Sequence, residues 1–397
     1  MKYTLNRRIA AGFPRRAIAA IGGLLSVGLL TVSVSGCGPS QTPQAIIIAA
    51  SATANEPAPE LSAGIVQMLQ SAGVASTKAT AYVVAPGTGQ PTILPLTPRR
   101  ADGQVDFGPT RSRVLAANIA AVQRVVEQEA AQGPFDLLNI MAAAARAAPP
   151  SATLVVISSG LSTAGGLDMR QVGWDAGPQS VASQLKARGL LPDLAGYRVV
   201  FSGLAGVAGR QPALPLPQRT TLISYWMAIC RASGAASCVT DDLTRPDSPS
   251  HSTIGVPVVA VPTVTSVHGP GATTVTLPDS LLFSLNSATL LSSADSILQP
   301  IADQARDQHL QVSITGHASP DGGTAAYNEA LSIRRAMAVR NRLLAFGLPA
   351  GQIASVTGVG TAGEPPSACL VQGRLDEAIC DQLRRVVVRL SAEVTNQ

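Results

Sequence analysis

Residues 45–50 read Ala-Ile-Ile-Ile-Ala-Ala, an apolar run in which polar and apolar positions do not alternate. A strand of this kind has no face to give to water, so layers must cover it on both sides. The sequence that follows can supply them. Helical spacing runs over Leu61–Ala72, Thr110–Gln132 and Phe135–Ala148, the last stopped by Pro149-Pro150. Further strands are predicted at Ala79–Val84, Thr153–Ser158 and Tyr197–Phe201, and further helices at Ser180–Arg188 and Thr220–Ser233. Strands alternating with helices predict an α/β domain over residues 45–242, with a doubly wound, mostly parallel sheet.

Charge is informative mainly by where it lies. The formal net charge is +5, yet Lys2, Arg7, Arg8, Arg15 and Arg16 all precede position 37, where no acidic residue occurs. Removing those five from the 29 basic residues leaves 24 against 24 acidic ones, so the remainder is neutral. A nucleic-acid partner would call for a basic surface, and no basic run follows. With aromatics at 3 %, any core must be built from Ala, Val, Leu and Ile. The basic stretch is followed by the apolar Ala17–Val34 and then by Val34-Ser35-Gly36-Cys37, the layout of a secretory signal, the alternative being an uncleaved transmembrane helix. These four residues resemble a bacterial lipobox. The resemblance implies cleavage after residue 36, a lipid on Cys37 and a short tether over 37–44. Two or three acyl chains, each contributing roughly 0.8 kcal/mol per buried CH₂, would hold such a protein on a membrane. In an exported chain, Cys230 with Cys238 and Cys369 with Cys380 suggest two local disulfides, the alternative being free buried thiols. No Cys-x-x-Cys occurs and no histidine lies near either pair, which argues against a metal site.

The order of elements in residues 45–242 resembles a von Willebrand factor A-like domain. That family carries metal-binding aspartates after the first apolar strand and in the loop near Ser158; here Ala49 and Ser159 stand at those places. A divalent cation of this class needs carboxylate oxygens, so no metal or other cofactor is expected, and the domain reads as a spacer or a docking surface for other envelope proteins. Gly160-Leu161-Ser162-Thr163-Ala164 lacks the second glycine of a nucleophile elbow, and no histidine is in evidence to serve Ser162. Catalysis is not expected. Residues 243–272 are rich in proline and predict a semi-rigid, extended linker.

In the C-terminal part, strands are predicted at Thr273–Leu277, Leu310–Ile314, Ile353–Val359 and Arg385–Leu390, with helices at Ser292–Asp307 and Ala325–Ala345. Tyr327, Leu331, Ala338 and Ala345 fall on one stripe of the long helix and are expected to face the core. Asn328, Ser332 and Arg335 form a polar stripe beside them. On spacing alone, Arg334 and Arg335 suit a solvated face as well as a ligand pair.

The landmarks in order then resemble the OmpA-like peptidoglycan-binding domain, over residues 273–397. Phe283-Ser284-Leu285-Asn286-Ser287-Ala288, Gly316-His317, Tyr327-Asn328, Leu331-Ser332-x-x-Arg335-Ala336, Gly358-Val359-Gly360, Gly373-Arg374 and Arg384-Arg385-Val386 stand where that family carries its motifs. The resemblance implies an α+β fold. It also implies non-covalent binding of the peptidoglycan stem peptide through the zwitterionic end of its diaminopimelate. Arg335 would take the carboxylate, with Asn328 and Asn286 nearby and Arg384 and Arg385 in support. The loop reads Ala-Ser-Pro-Asp, so Ser319 holds the family aspartate's nominal place and Asp321 is expected to receive the ammonium. Cys369 and Cys380 resemble a disulfide found in some members. The sequence thus predicts a lipid-anchored envelope protein, on the outer membrane or, in an actinobacterium, the plasma membrane. It would tether membrane to wall, the alternative being an adhesion or assembly module that docks proteins.

Overall fold

In the computed structural model, which describes residues 43–392 apart from 85–89, 131–132, 134, 148, 150, 242–251, 253 and 372, the opening apolar run is strand β1 (Gln44–Ala50). It lies near the middle of a six-stranded sheet with β2 (Ala79–Val84), β3 (Pro91–Pro95), β4 (Thr153–Ile157), β5 (Arg198–Ser202) and β6 (Ser237–Asp241), in the order β3-β2-β1-β4-β5-β6. Every pairing is parallel except that of the edge strand β3 on β2. Alternate side chains of β1 enter different cores. Ile46, Ile48 and Ala50 pack under α1 (Ala63–Ala75) and α2 (Arg111–Glu129). Ile47 and Ala49 pack under α3 (Leu137–Arg146), α5 (Pro178–Ala187) and α6 (Leu216–Ala232). Unbroken hydrophobicity is the signature of such two-sided burial. The short helix α4 (Met169–Val172) lies in the connection from β4 to α5.

A second sheet has the order β10-β9-β13-β8-β7, built from β7 (Thr265–Gly269), β8 (Ala272–Pro278), β9 (Gln311–Gly316), β10 (Ile353–Gly358) and β13 (Arg385–Ser391). A further short ribbon pairs β11 (Leu370–Val371) with β12 (Arg374–Leu375). Helix α7 (Asp279–Leu282) follows β8, and α10 (Glu377–Leu383) precedes β13. The long helices α8 (Asp295–Asp307) and α9 (Ala325–Ala345) supply Leu298, Ile301, Ala336, Val339 and Leu343 to a core closed by Val312, Ile314, Val386 and Val388 of the sheet. The described residues of both lobes belong to one compact unit.

The predicted strands and long helices are present, together with five strands the sequence does not predict: β3, β6 and β7, and the two-residue β11 and β12. β3 and β7 are exposed edges, and β6 is a largely exposed run, Ser-Cys-Val-Thr-Asp. None carries the apolar signature of a buried strand. The disulfide Cys230–Cys238 ties β6 to α6, and Cys369–Cys380 ties the residue just before β11 to α10. The proline-rich stretch departs from a free spacer in its described portion. Val256 and Val259 enter the first lobe's core, Gln211 bonds both the N–H and the carbonyl of Val259, and Trp174 Nε1 donates to the Ala260 carbonyl at 2.7 Å. The sequence Gly-Pro-Gly-Ala is a hairpin turn between β7 and β8, Gly271 taking φ +75° after Pro270. Cys37, the signal and residues 243–251 lie outside the described residues. Among the described residues no helix is long and apolar enough to cross a membrane.

Candidate ligand-binding site

In an open sheet of this strand order, the usual ligand position is the crevice beyond β1 and β4, where the winding reverses. Here it is filled from within. Glu56 is 1 % exposed, and its Oε1 accepts from Ser51 Oγ (2.8 Å), Ser158 Oγ (3.3 Å), Ser159 N (2.8 Å) and Ser159 Oγ (2.7 Å). Its Oε2 accepts from Thr53 N at 3.1 Å. One carboxylate already holding these donors does not fit a divalent cation, which needs several free oxygens. Glu56 escaped the sequence reading because it lies past the strand, where no spacing rule marks it.

A different cleft carries the predicted residues. β9 ends at Gly316, where a Cβ would fall 2.1 Å from the Ser332 carbonyl oxygen, so only glycine allows α9 to approach the strand this closely. The next loop is held by the Ala318 N–H on the Gly360 carbonyl (2.8 Å) and by Asn328 Nδ2 on the Gly322 carbonyl (2.8 Å). Asp321 accepts from Ser319 Oγ, and Arg384 Nη1 reaches both, 3.2 Å from Ser319 Oγ and 3.3 Å from Asp321 Oδ2. Leu285, Asn286, Ser319, Asp321, Asn328, Arg335 and Arg384 line a cleft of about 330 Å³.

The two arginines are deeply set. Arg335 is 1 % exposed; it ion-pairs with Asp279, donates through Nε to the Ser287 carbonyl (2.8 Å) and lies over the Phe283 ring. Arg384 meets Asp321 on one side and, through Nε at 3.1 Å, Asp175 of the first lobe on the other. The Asp175 carbonyl also accepts from Leu285 N at 2.7 Å. Close by, Ser280 accepts through its carbonyl from Gln218 Nε2 and donates through Oγ to Asp381. Asp175, Asp279, Asp321 and Asp381 thus surround two guanidiniums. Burial pushes the Asp279 carboxyl up to about 7 and that of Asp381 up to about 6; for Asp279 it outweighs the downward pull of Arg335 and Arg384. Burial raises Asp175 too, against the pull of Arg384.

A pH dependence follows. Between pH about 4 and 7 the folded lobe retains the Asp279 proton, which the unfolded chain, with a carboxyl near 3.8, has released. This group therefore contributes stability that is fully present below about pH 4 and declines as pH rises to about 7, with Asp381 acting in the same direction. In Asp279→Asn the decline in urea midpoint between pH 4.5 and 7.5 should shrink. A slope equal to the parent's would remove Asp279 as its source.

The model of the OmpA family matches residues 282–368. That segment is an OmpA-family domain. No curated protein matches the chain. Among solved structures, the chain is similar to the cell wall anchor of the T6SS from Pseudomonas aeruginosa (27 % identity, covering 33 % of this chain and 88 % of that one, TM-score 0.28). It is also similar to a MotB-like protein from Desulfovibrio vulgaris (23 %, 33 % and 82 %, 0.28) and to the OmpA-like domain of FopA1 from Francisella tularensis (22 %, 32 % and 79 %, 0.26).

Ser319, Asp321, Asn328, Arg335 and Asn286 of the OmpA-family segment come together with Arg384, the residue between α10 and β13; Asn286 has φ +58°. Arg385 does not join them. Its neighbour Arg384 points into the cleft, while Arg385 donates to the Gln382 and Leu383 carbonyls on the other side. The buried face of α9 also differs from expectation. Tyr327 is 41 % exposed and Ala345 is exposed, whereas Asn328, Ser332 and Arg335 are buried. Ser332 Oγ accepts from Gly360 N, Asn328 holds the loop and Arg335 meets Asp279, so each polar group on the face has an internal partner. Arg334 remains solvated. Asp279, Asp175 and Asp381 were not singled out, since nothing in local spacing links them to residues so distant in the chain. The Cys369 and Cys380 sulfurs lie near the Asp321 carboxylate, but joined as a disulfide they offer no thiolate to a metal.

Proposed function

We propose that this is a cell-envelope protein whose OmpA-family domain binds peptidoglycan without catalysis, through the zwitterionic diaminopimelate end of a stem peptide. The observation that carries the reading is the juxtaposition, in one cleft, of the Asp321 carboxylate with the Arg384 and Arg335 guanidiniums. An ammonium on Asp321 and a carboxylate on the arginine side would use charge-assisted bonds at both ends of the zwitterion, and the planar guanidinium favours a carboxylate partner. The internal pairing with Asp321 keeps Arg384 oriented before ligand arrives. Further parts of the reading are a lipid on Cys37 that fixes the mature chain to a membrane, and a von Willebrand A-like first lobe with a degenerate metal site. The latter is supported by the strand order, the antiparallel edge β3 and the filled crevice at Glu56.

Co-sedimentation of the full chain with purified diaminopimelate-containing sacculi tests the reading. Asp321→Asn keeps the loop's shape while removing the charge, and should weaken binding about tenfold or more, the equivalent of one charge-assisted bond. Undiminished sedimentation of Asp321→Asn, or none by the parent, would sink the proposal. Release of soluble wall fragments by the protein would contradict its non-catalytic part.

A further inference from the structure

A second cleft, of about 370 Å³, abuts the first. Leu285 and Asp321 line both, and the opposite wall belongs to the first lobe: Gln171 from α4, and Gln184 and Arg188 from α5 and its C-terminal cap. Gln184 and Arg188 are four residues apart and so share one helix face. The charges in this cleft are unevenly committed. Asp168 is bound by Arg170 through both carboxylate oxygens, at 2.9 and 2.6 Å, while Asp175 and Asp321 both meet Arg384. The guanidinium of Arg188, by contrast, has no ion pair or hydrogen bond among the described residues. Leu185, Val181 and Leu285 give the cleft an apolar floor.

We propose that the ligand site continues across the lobe boundary into this second cleft, where Arg188 receives a further carboxylate of an extended peptide ligand and Gln184 and Gln171 meet its amides. This rests on the peptidoglycan reading and deepens it: the ligand is a peptide with an acidic group beyond its zwitterionic end. The first lobe becomes a specificity element. The seam formed by Asp175 on Arg384 and by the Leu285 N–H on the Asp175 carbonyl joins the two walls.

Calorimetric titration of the full chain with two probes, free diaminopimelate and a soluble muropeptide bearing a tripeptide stem, tests this. Arg188→Glu should weaken muropeptide binding about tenfold or more and leave free diaminopimelate unchanged, since only the longer ligand reaches Arg188. Arg188→Lys, which keeps the charge and loses the planar fork, should fall between. Arg188 is exposed, so neither change should alter the fold. Equal muropeptide affinity in Arg188→Glu and parent, with Asp321→Asn still impaired, overturns the extension and spares the underlying reading. Failure of the parent to bind either probe overturns both.

Discussion

Glu56→Ala should unfold the first lobe at markedly lower denaturant, at a cost of about 3–5 kcal/mol. The substitution removes the acceptor for two backbone N–H groups, of Thr53 and Ser159, and for three hydroxyls, all at a crevice that solvent does not reach. Once Glu56 is gone, Ser51 Oγ can donate its one proton to Ser158 Oγ, 2.8 Å away, which limits the damage, but the N–H groups have no such recourse. For a lobe of this size the loss corresponds to roughly 10 °C in melting temperature. Glu56→Gln should cost less, because it keeps one carbonyl oxygen for the serine cluster and turns only the Thr53 contact unfavourable. The measurement is clean because both tryptophans, Trp174 and Trp226, are buried in the first lobe, so their fluorescence reports its unfolding alone. Magnesium or calcium should leave the parent's midpoint where it is. A cation-dependent increase, or a Glu56→Ala variant as stable as the parent, would show that the Glu56 carboxylate does not fill this crevice in place of a ligand.

The second large effect is expected at Arg335. Above about pH 7, where Asp279 is ionised, Arg335→Ala should destabilise the C-terminal lobe by about 3–5 kcal/mol, since it leaves that carboxylate buried without its nearest cation; below about pH 7, where the carboxyl holds its proton, the loss should be smaller. The deletion also empties the space over Phe283. The double variant Arg335→Met with Asp279→Leu should recover most of the loss, because replacing both members of a buried ion pair by apolar groups spares both desolvation penalties. Urea unfolding followed by far-ultraviolet circular dichroism, run as a double-mutant cycle, separates the terms. Should Arg335→Ala match the parent, the pair contributes nothing to the fold. The practical corollary concerns binding assays: loss of wall binding in Arg335→Ala would not by itself assign a ligand contact, and Asp321→Asn is the sharper probe.

What could be read from the sequence was what neighbours in the chain determine. The unbroken apolar run of β1 announced burial on both faces, and the ordered landmarks from Phe283 to Val386 announced the C-terminal cleft, Asp321 included. Edge strands were harder, because β7 with every residue exposed carries no hydrophobic period and the adjoining prolines read as a linker. The orientation of α9 failed for a related reason. Counting apolar residues placed Tyr327 inside and Arg335 on a border, while an acidic partner 56 residues away decides that Arg335 is buried. Asp175 is more distant still, and its pairing with Arg384 exists only once both lobes have folded. Buried charge is a tertiary property, so a one-dimensional pattern cannot reveal it.

The packing of residues 256–260 has a mechanical consequence. A loose proline-rich leash would let a wall-held domain drift over tens of ångströms before any tension reached the other end. With Val256 and Val259 seated in the first core and Trp174 gripping the Ala260 carbonyl, that slack is absent from this stretch. Under the proposed reading, in which the chain is held by wall at one end and membrane at the other, load on the C-terminal sheet would pass promptly into the first lobe. The seam at Asp175 and Arg384 would then feel strain before any slack was taken up, acting as a stiff coupling rather than a spring.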